Sequence, residues 1–391
     1  MRYNFDKVID RSGTSAEKVE GLKHIWGRTD LIPLWVADMD FATAPFVTDA
    51  IRKRCENEVL GYTGKPDSYY NAIINWVKQR YDLVVAKEMI NFVPGIVPGI
   101  GMAMNCFTQK GDKVMIQPPV YHPFAWVTTR NERTLVTNPL KWENGMYRMD
   151  LDTFREQIKG CKLFILCNPH NPGGVVWTEA ELRAIADICY DEKVLVFSDE
   201  IHADLTLPPH THRPFATVSE KARMNSVTFM SPSKAFNMPG LSASHALIFN
   251  EDLRKRFRIY MDAGELDMGH VFAFLSVEAG YSHGTEWLDQ CLAYIQGNID
   301  FVDDFLKNHA PKIKAIRPEA SYLVWLDCRE LKLSQKDLNE FFVDKAHLAL
   351  NDGEMFGKEG IGFMRLNVAS PRCIIEKAMK QLADAYQLYI K

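Results

Sequence analysis

A lysine at position 234 follows an apolar stretch and two serines, and this arrangement favours covalent chemistry with an aldehyde. Lys234 ends the run Ser231-Pro232-Ser233-Lys234, directly after Val227–Met230. An amine at the end of a buried strand is costly to charge, so it loses its proton more easily than in water. A neutral amine forms an imine with an aldehyde, and serine hydroxyls suit an adjacent phosphate. Alone the run is a weak signal, because most lysines are solvated surface charges.

A carboxylate and a histidine follow another apolar run. Asp199 follows Val196, Phe197 and Ser198, and His202 lies three residues further on. A carboxylate at the end of a buried strand needs a cationic partner, and a protonated pyridine nitrogen would serve. His202 could then reach the phenolic oxygen of the same ring. The alternatives are an aspartate that caps the next helix and a histidine with a structural role.

Two loops could bind other parts of a flat phosphorylated ring. Asn171 lies between prolines and glycines in Asn168–Gly174, which favours a rigid loop that holds one amide still. The glycine-rich run Pro94–Gly101 precedes a predicted helix from Met102 to Phe107, and a helix start offers free N–H groups to a phosphate. Plain turn formation and close packing are the alternatives for these two loops.

Tyr121 and Arg365 complete the candidates. Tyr121 follows an apolar run that ends near Ile116 and could stack on a ring or serve as a core aromatic. Arg365 stands in an alternating run typical of a strand, where it could bind a substrate carboxylate through two hydrogen bonds or form a surface salt bridge. His210 and His212 predict no metal site, since no cysteine or carboxylate nearby in the sequence completes a ligand set.

The strands and helices predicted to position these residues indicate an α/β protein. Four short apolar runs, 113–116, 163–166, 194–197 and 226–230, are typical of strands buried on both faces of a parallel sheet. Between two of them Thr178 and Glu181 form a capping box at the start of a helical pattern. Strand–helix alternation predicts a doubly wound core with the candidate residues at the carboxyl ends of its strands.

The last third has a different pattern and predicts a smaller α+β domain. A long helical stretch runs from Glu286 to Leu306, followed by a strand at 322–326, a helix at 335–346 and a strand at 362–367. The predicted boundaries are an N-terminal arm with part of the small domain over 1–46, a large domain over 47–285 and a small domain over 286–391.

Composition indicates an ordinary globular protein. Of the 391 residues 47% are hydrophobic and 25% are charged, and the formal net charge is −4. This charge shows no bias toward nucleic acid, and no apolar run is long enough to span a membrane. The eight cysteines are scattered and the first residues show no signal peptide, which predicts reduced thiols in a cytoplasmic protein.

The order of the motifs favours pyridoxal 5'-phosphate (PLP) as the cofactor. The motifs come in the same order as in fold type I PLP enzymes: a phosphate loop, a stacking aromatic, an Asn-Pro-Gly loop, an aspartate after a strand and a lysine after a strand. The probability that five motifs agree in this order by chance is small. We therefore expect a PLP-binding α/β fold with a mixed, mainly parallel seven-stranded sheet between helices.

The chain resembles the MalY/PatB-type C–S lyases, also called cystathionine β-lyases, within the class I/II aminotransferase superfamily. The resemblance covers essentially the whole sequence and rests most on Trp35–Phe41 and Ser198–His202, with further matches at Gly61–Thr63, Val120–Phe124 and Met364–Asn367. It implies cleavage of cystathionine, cysteine or S-substituted cysteines to a thiol, pyruvate and ammonia.

The resemblance also implies a role for each candidate residue. Lys234 binds the cofactor and moves protons, Asp199 pairs with the pyridine nitrogen and Tyr121 stacks on the ring. Asn171 and His202 face the phenolic oxygen, and Arg365 binds the substrate carboxylate. The remaining implied ligands are four phosphate contacts (Ile96, Val97, Ser231 and Ser233), two substrate contacts (Trp35 and Asp38) and Tyr62 from the other subunit of a homodimer.

Two alternatives stay open at this point. The first is an aminotransferase on the same scaffold, and the second is a regulatory protein that acts by binding another protein. The segment 265–272 departs from the pattern of the family, so the choice of substrate is open.

Overall fold

The computed structural model describes residues 2–389. Its strands are β1 (Ile32–Pro33), β2 (Ile90–Val93), β3 (Lys113–Ile116), β4 (Thr134–Thr137), β5 (Lys141–Glu143), β6 (Met146–Arg148), β7 (Cys161–Cys167), β8 (Leu195–Asp199), β9 (Ser226–Met230), β10 (Ser244–Leu247), β11 (Lys314–Ile316), β12 (Leu323–Asp327), β13 (Leu348–Ala349), β14 (Asn351–Asp352) and β15 (Phe363–Asn367). Its helices are α1 (Glu17–Trp26), α2 (Pro45–Cys55), α3 (Asp67–Tyr81), α4 (Ile96–Phe107), α5 (Pro123–Arg130), α6 (Leu151–Gln157), α7 (Glu179–Asp191), α8 (Glu220–Met224), α9 (Glu251–Ala263), α10 (Val271–His283), α11 (Thr285–His309), α12 (Gln335–Glu340) and α13 (Arg372–Tyr389).

A seven-stranded sheet forms the centre of the larger part. Its strand order is β2-β10-β9-β8-β7-β3-β4. Neighbouring strands run parallel from β9 to β4, whereas β10 is antiparallel to both β9 and β2. The predicted α/β fold with a mixed, mainly parallel seven-stranded sheet is confirmed.

Both faces of this sheet are buried, as the apolar runs predicted. Along β7, Leu163 and Ile165 pack into one hydrophobic core, whereas Phe164 and Leu166 pack into another on the opposite face. A strand with two buried faces shows a continuous apolar run instead of alternation. The four predicted strands are thereby confirmed as β3, β7, β8 and β9.

Helix boundaries agree with the sequence at one site and differ at another. Thr178 caps α7, and its backbone N–H and hydroxyl donate to Glu181 Oε2 in the predicted capping box. The helix predicted from Met102 instead begins at Ile96, so most of the expected glycine loop is helical. Gly99 permits this, because a Cβ there would lie 2.9 Å from the Val93 side chain on the sheet beneath.

A four-stranded antiparallel sheet, ordered β11-β12-β15-β14, lies in the last third. It is preceded by α11, which is continuous over 25 residues. The helix predicted over 335–346 is divided, since α12 ends at Glu340 and a π-helical turn occupies Phe341–Lys345. Strand β1 pairs with β13, which joins the N-terminal region to this part. The boundaries at 46/47 and 285/286 stay predictions.

Within residues 2–389, no helix combines the length and the apolar character needed to cross a bilayer.

Candidate active site

Three loops that follow adjacent parallel strands meet at one edge of the large sheet. Asn171 follows β7, His202 follows β8, and Lys234 follows β9. Because the carboxyl ends of parallel strands lie at the same edge, these side chains come together there. They line a cavity of about 210 Å³ with Asp199, Tyr121 and the start of α4.

The Lys234 amine lies inside this cavity. Its Nζ donates a hydrogen bond to the carbonyl oxygen of Ala37, which also accepts from the Tyr322 hydroxyl at 2.8 Å. Burial, opposed by the negative charge of Asp38, lowers the pKa of Lys234 to about 8. A much larger fraction of this amine is therefore neutral near pH 7 than for a solvated lysine, as a nucleophile or base requires.

Asp199 is a buried carboxylate for which no cationic side chain among residues 2–389 is in ion-pair contact. It is 3% exposed, and its Oδ1 accepts a hydrogen bond from the backbone N–H of Ile201 at 3.1 Å. Burial, aided by the negative charge of Glu200, raises the pKa of Asp199 to about 7. Such a carboxylate stabilises a cation that enters the cavity beside it.

Arg365 is the opposite case, a buried cation for which the structure provides no carboxylate partner within residues 2–389. It is 3% exposed, and its guanidinium donates to Asn171 Oδ1 (3.1 Å), Asn351 Oδ1 (2.5 Å) and the Trp35 carbonyl (3.1 Å). Its Nε is buried without an acceptor. Burial lowers the pKa of Arg365 to about 10. This geometry suits a small carboxylate ligand.

The start of α4 and two serines form the opposite end of the cavity. Gly95 precedes the helix with φ +115°, a conformation that favours glycine. Ile96 and Val97, the first two helical residues, line the cavity, and their N–H groups have no acceptor within the helix. The Ser231 hydroxyl donates to the Ala243 carbonyl at 2.7 Å and lies 2.8 Å from Ser233 Oγ, which faces the cavity. An anion such as phosphate fits this end.

His202 and Tyr121 line the cavity between its two ends. Nδ1 of His202 is buried without a hydrogen-bond partner among residues 2–389, and burial lowers the pKa of His202 to about 3. Burial, with the charge of Asp199, raises the pKa of the Tyr121 hydroxyl. Both side chains are therefore uncharged near pH 7.

The segment 35–41 contributes backbone carbonyl groups rather than the expected side chains. The Trp35 carbonyl accepts from Arg365, whereas its indole packs on Trp26, 5.3 Å between ring centroids, away from the cavity. The Asp38 carboxylate forms ion pairs with Arg11 (2.6 Å) and Lys18 (3.7 Å). The structure thus places Trp35 and Asp38 around the site but outside the lining of its cavity.

Tyr62 does not reach the cavity of its own chain. Its side chain is 98% exposed, in a surface groove formed with residues 267–271. Lys65 pairs with Asp267 in this groove at 2.5 Å. His270 from the divergent segment lies 2.9 Å from the carbonyl of Leu241, close to the cavity wall at Ser242.

Sequence reasoning missed several residues of the cavity wall. Cys167, Pro239, Ser242 and Ser244 line it together with the Ala37 backbone. Cys167 ends β7, so the rule that places functional residues at strand ends could have found it. The short run of small residues from 242 to 244 offered no comparable signal.

Comparison with known proteins identifies the family of this chain. The family model described as aminotransferase class I and II matches residues 29–382. The chain is 38% identical to cystathionine β-lyase PatB of Bacillus subtilis, covering 98% of this chain and 99% of the relative. The chain belongs to the class I and II aminotransferase family. The resemblance to MalY/PatB-type proteins is confirmed.

Two further relatives place the chain within this family. It is 30% identical to protein MalY of Escherichia coli, over 98% of both chains. The structure of cystalysin from Treponema denticola, which contains a pyridoxal 5'-phosphate cofactor, aligns over 100% of both chains with a TM-score of 0.96 and 34% identity.

PLP is the cofactor of this family, and the residues present here fit it. The unpaired Asp199 carboxylate suits the pyridine nitrogen, Lys234 suits the aldehyde, and the start of α4 with Ser233 suits the phosphate. The cavity thus offers partners for three separate groups of one small molecule.

Proposed function

We propose that this protein is a PLP-dependent carbon–sulfur β-lyase that cleaves cystathionine or S-substituted cysteines to a thiol, pyruvate and ammonia. The observation that carries the proposal is one site that brings together three buried charged groups without an ion-pair partner among residues 2–389. They are the amine of Lys234, the carboxylate of Asp199 and the guanidinium of Arg365. These match an aldehyde, a pyridinium and an amino-acid carboxylate respectively.

Each residue has a distinct part in the reaction. Bound PLP supplies an electron-accepting ring for the negative charge that develops at the substrate Cα. Asp199 keeps the proton on the ring nitrogen, and Arg365, which also donates to Asn171 Oδ1, holds the substrate carboxylate. The neutral Lys234 amine takes the α-proton, after which the Cβ–S bond breaks and the sulfur leaves as a thiolate. Water then releases pyruvate and ammonia.

The proposal is tested with purified protein, PLP and L-cystathionine, without any keto acid. Pyruvate and a free thiol are expected to form in equal amounts, since elimination needs no amino-group acceptor. The same reaction with 2-oxoglutarate added is the control and should run at the same rate. Strict dependence on 2-oxoglutarate would instead make the protein an aminotransferase and overturn the proposal.

The cofactor-free protein is expected to become more stable when Asp199 is changed to Asn. A carboxyl with pKa raised from 3.8 to about 7 binds more protons folded than unfolded, so stability is lost as pH rises from about 4 to about 7. At pH 8 the free energy of unfolding of the Asp199→Asn apoprotein should therefore be about 2–4 kcal/mol higher than that of the parent. Urea unfolding at pH 4 and pH 8 measures this difference.

The control for this prediction is Asp82→Asn. Asp82 is an exposed carboxylate paired with Lys78, and its loss should change stability by less than about 0.5 kcal/mol. PLP should bind more weakly to Asp199→Asn, so stability and cofactor affinity move in opposite directions. An Asp199→Asn apoprotein no more stable than the parent at pH 8 would contradict the assignment of an unpaired buried charge.

We also infer a homodimer in which Tyr62 completes the phosphate site of the partner subunit. Leu60, Tyr62 and Met268 are exposed apolar residues that line one surface groove, of the kind that subunit interfaces cover. Tyr62 does not line the cavity of its own chain, which agrees with a role in the other chain.

Mixing two inactive variants tests this assembly. Tyr62→Ala and Lys234→Ala are each expected to be nearly inactive alone. In a hybrid dimer the Tyr62→Ala subunit keeps its lysine and receives Tyr62 from its partner, so equimolar mixing after unfolding and refolding should restore about a quarter of parent activity. Each variant refolded with itself is the control. A monomer by light scattering, or no recovery on mixing, would contradict the inference.

A cytoplasmic location is part of the same proposal. The eight cysteines are all free, and five of them are buried. Reduced thiols are typical of the cytoplasm.

A further inference from the structure

A buried hydrogen bond joins Glu200, the residue that follows Asp199 in the chain, to His212, and neither residue takes part in the reaction described above. Glu200 and His212 are 1% and 4% exposed, and Glu200 Oε2 lies 2.8 Å from His212 Nε2. The Ser198 hydroxyl and the Phe215 backbone N–H donate to Glu200 Oε1 at 2.8 and 2.9 Å. The two carboxylate oxygens of Glu200 thus have three hydrogen-bonding partners. The chain therefore holds a second buried carboxylate next to the first.

His212 is the one titratable base that contacts Glu200 within residues 2–389. On its other side His212 packs edge-on against Tyr81, 5.5 Å between ring centroids, and its charge also acts on buried Asp204. Asp204 has its own partners, since it accepts from the indole of Trp76 and the hydroxyl of Tyr81 and lies 4.0 Å from Arg80. His212 is therefore the side chain able to balance the charge of Glu200.

The charge of Glu200 affects the protonation of Asp199 because the two residues are adjacent in the chain. Burial raises the pKa of Asp199 most, the negative charge of Glu200 raises it further, and the charge of Lys234 lowers it. Asp199 lines the cavity, whereas Glu200 is buried outside its lining. Left without a counter-charge, it would draw the proton from the ring nitrogen onto Asp199.

We propose that His212 is a positioning residue for the cofactor: by balancing Glu200 it keeps Asp199 ionised, so that the ring nitrogen retains its proton. This rests on the role of Asp199 in the proposed function. His212 acts through Glu200 and touches neither substrate nor cofactor, and Glu200 mediates the effect.

The test uses PLP labelled with ¹⁵N at the pyridine nitrogen, added to the cofactor-free protein and to His212→Gln. Glutamine can still donate to Glu200 but cannot carry its counter-charge. In His212→Gln the ¹⁵N chemical shift should move toward that of an unprotonated nitrogen, and the dissociation constant of PLP should rise about tenfold, the equivalent of one pKa unit. Unchanged values of both would overturn the proposal.

The double variant Glu200→Gln/His212→Gln separates charge from structure. It buries no charge at this position, so the ¹⁵N shift should return to the parent value and PLP affinity to within about twofold of it. If His212→Gln does not fold, the double variant should still fold and bind; weak binding by the double variant would mean a structural role and overturn the proposal.

His245→Gln is the matched control. His245 is fully buried on β10, and its ring nitrogens lack hydrogen-bond partners in the described chain. Its replacement should leave the ¹⁵N shift unchanged, and a shift equal to that of His212→Gln would overturn the proposal. If the parent protein itself binds no PLP, the proposed function fails. If the parent and the His212→Gln variant bind PLP equally well, with the same ¹⁵N shift, only the role of His212 fails.

Discussion

Lys234→Ala is expected to lower the rate of pyruvate formation from L-cystathionine by about 10⁴-fold, at the upper end of what one acid–base group contributes. No other amine lines the cavity among residues 2–389, so no neighbouring side chain replaces the lost base. Addition of PLP followed by borohydride reduction should attach the cofactor to Lys234 in the parent and leave the variant unmodified there, as read by peptide mass.

Lys221→Ala is the control for this variant. Lys221 is a solvated lysine paired with Asp187 and Asp191 on the surface, and its loss should leave the rate within about twofold. Exogenous methylamine should restore part of the activity of Lys234→Ala, because it supplies an amine to the space the side chain leaves. A Lys234→Ala enzyme with parental turnover would disprove the assignment.

Arg365→Met is expected to lower kcat/KM for L-cystathionine by about 10³-fold, the loss of about 4 kcal/mol of charge-assisted binding. The loss should fall mainly on KM, because the guanidinium holds a carboxylate that does not react. Arg365→Lys should lose less, since it keeps the charge but not the fork of N–H donors that contacts Asn171 and Asn351. Affinity for PLP should stay within about twofold in both variants.

An analogue without the carboxylate distinguishes binding from general damage. A decarboxylated S-substituted cysteine should bind the parent and Arg365→Met equally, because neither enzyme has a carboxylate to hold. Arg133→Lys is the matched control for a buried arginine outside the site, since Arg133 bonds Thr108 and the Asn131 carbonyl. A parental KM in Arg365→Met would show that another group binds the substrate.

The sequence predicted the central sheet and the reactive residues at its edge for one physical reason. Strands buried on both faces require apolar residues throughout, so polar residues such as Asp199 and Lys234 mark the points where those strands end. Parallel pairing then brings consecutive ends together. Prediction of this part required only local patterns and a general topological rule.

The contributions of the backbone could not be predicted in this way. Trp35–Phe41 is prominent in sequence, yet the contacts with Lys234 and Arg365 come from the carbonyls of Ala37 and Trp35. Asn367 holds this segment through bonds to the carbonyls of Val36 and Asp38, and such long-range bonds leave no periodic signal. The start of α4 at Ile96 could not be predicted either, because in the sequence the glycines that permit close packing look the same as the glycines of a loop.

The unpaired carboxylate of Asp199 also has a consequence for the life of the protein in a cell. A chain without vitamin B6 carries an internal charge that opposes its own folding, whereas occupancy removes that cost. Newly made copies in a starved cell would open more often and be degraded faster by proteases. The supply of the vitamin would then govern how much of the protein accumulates as well as how much of it works.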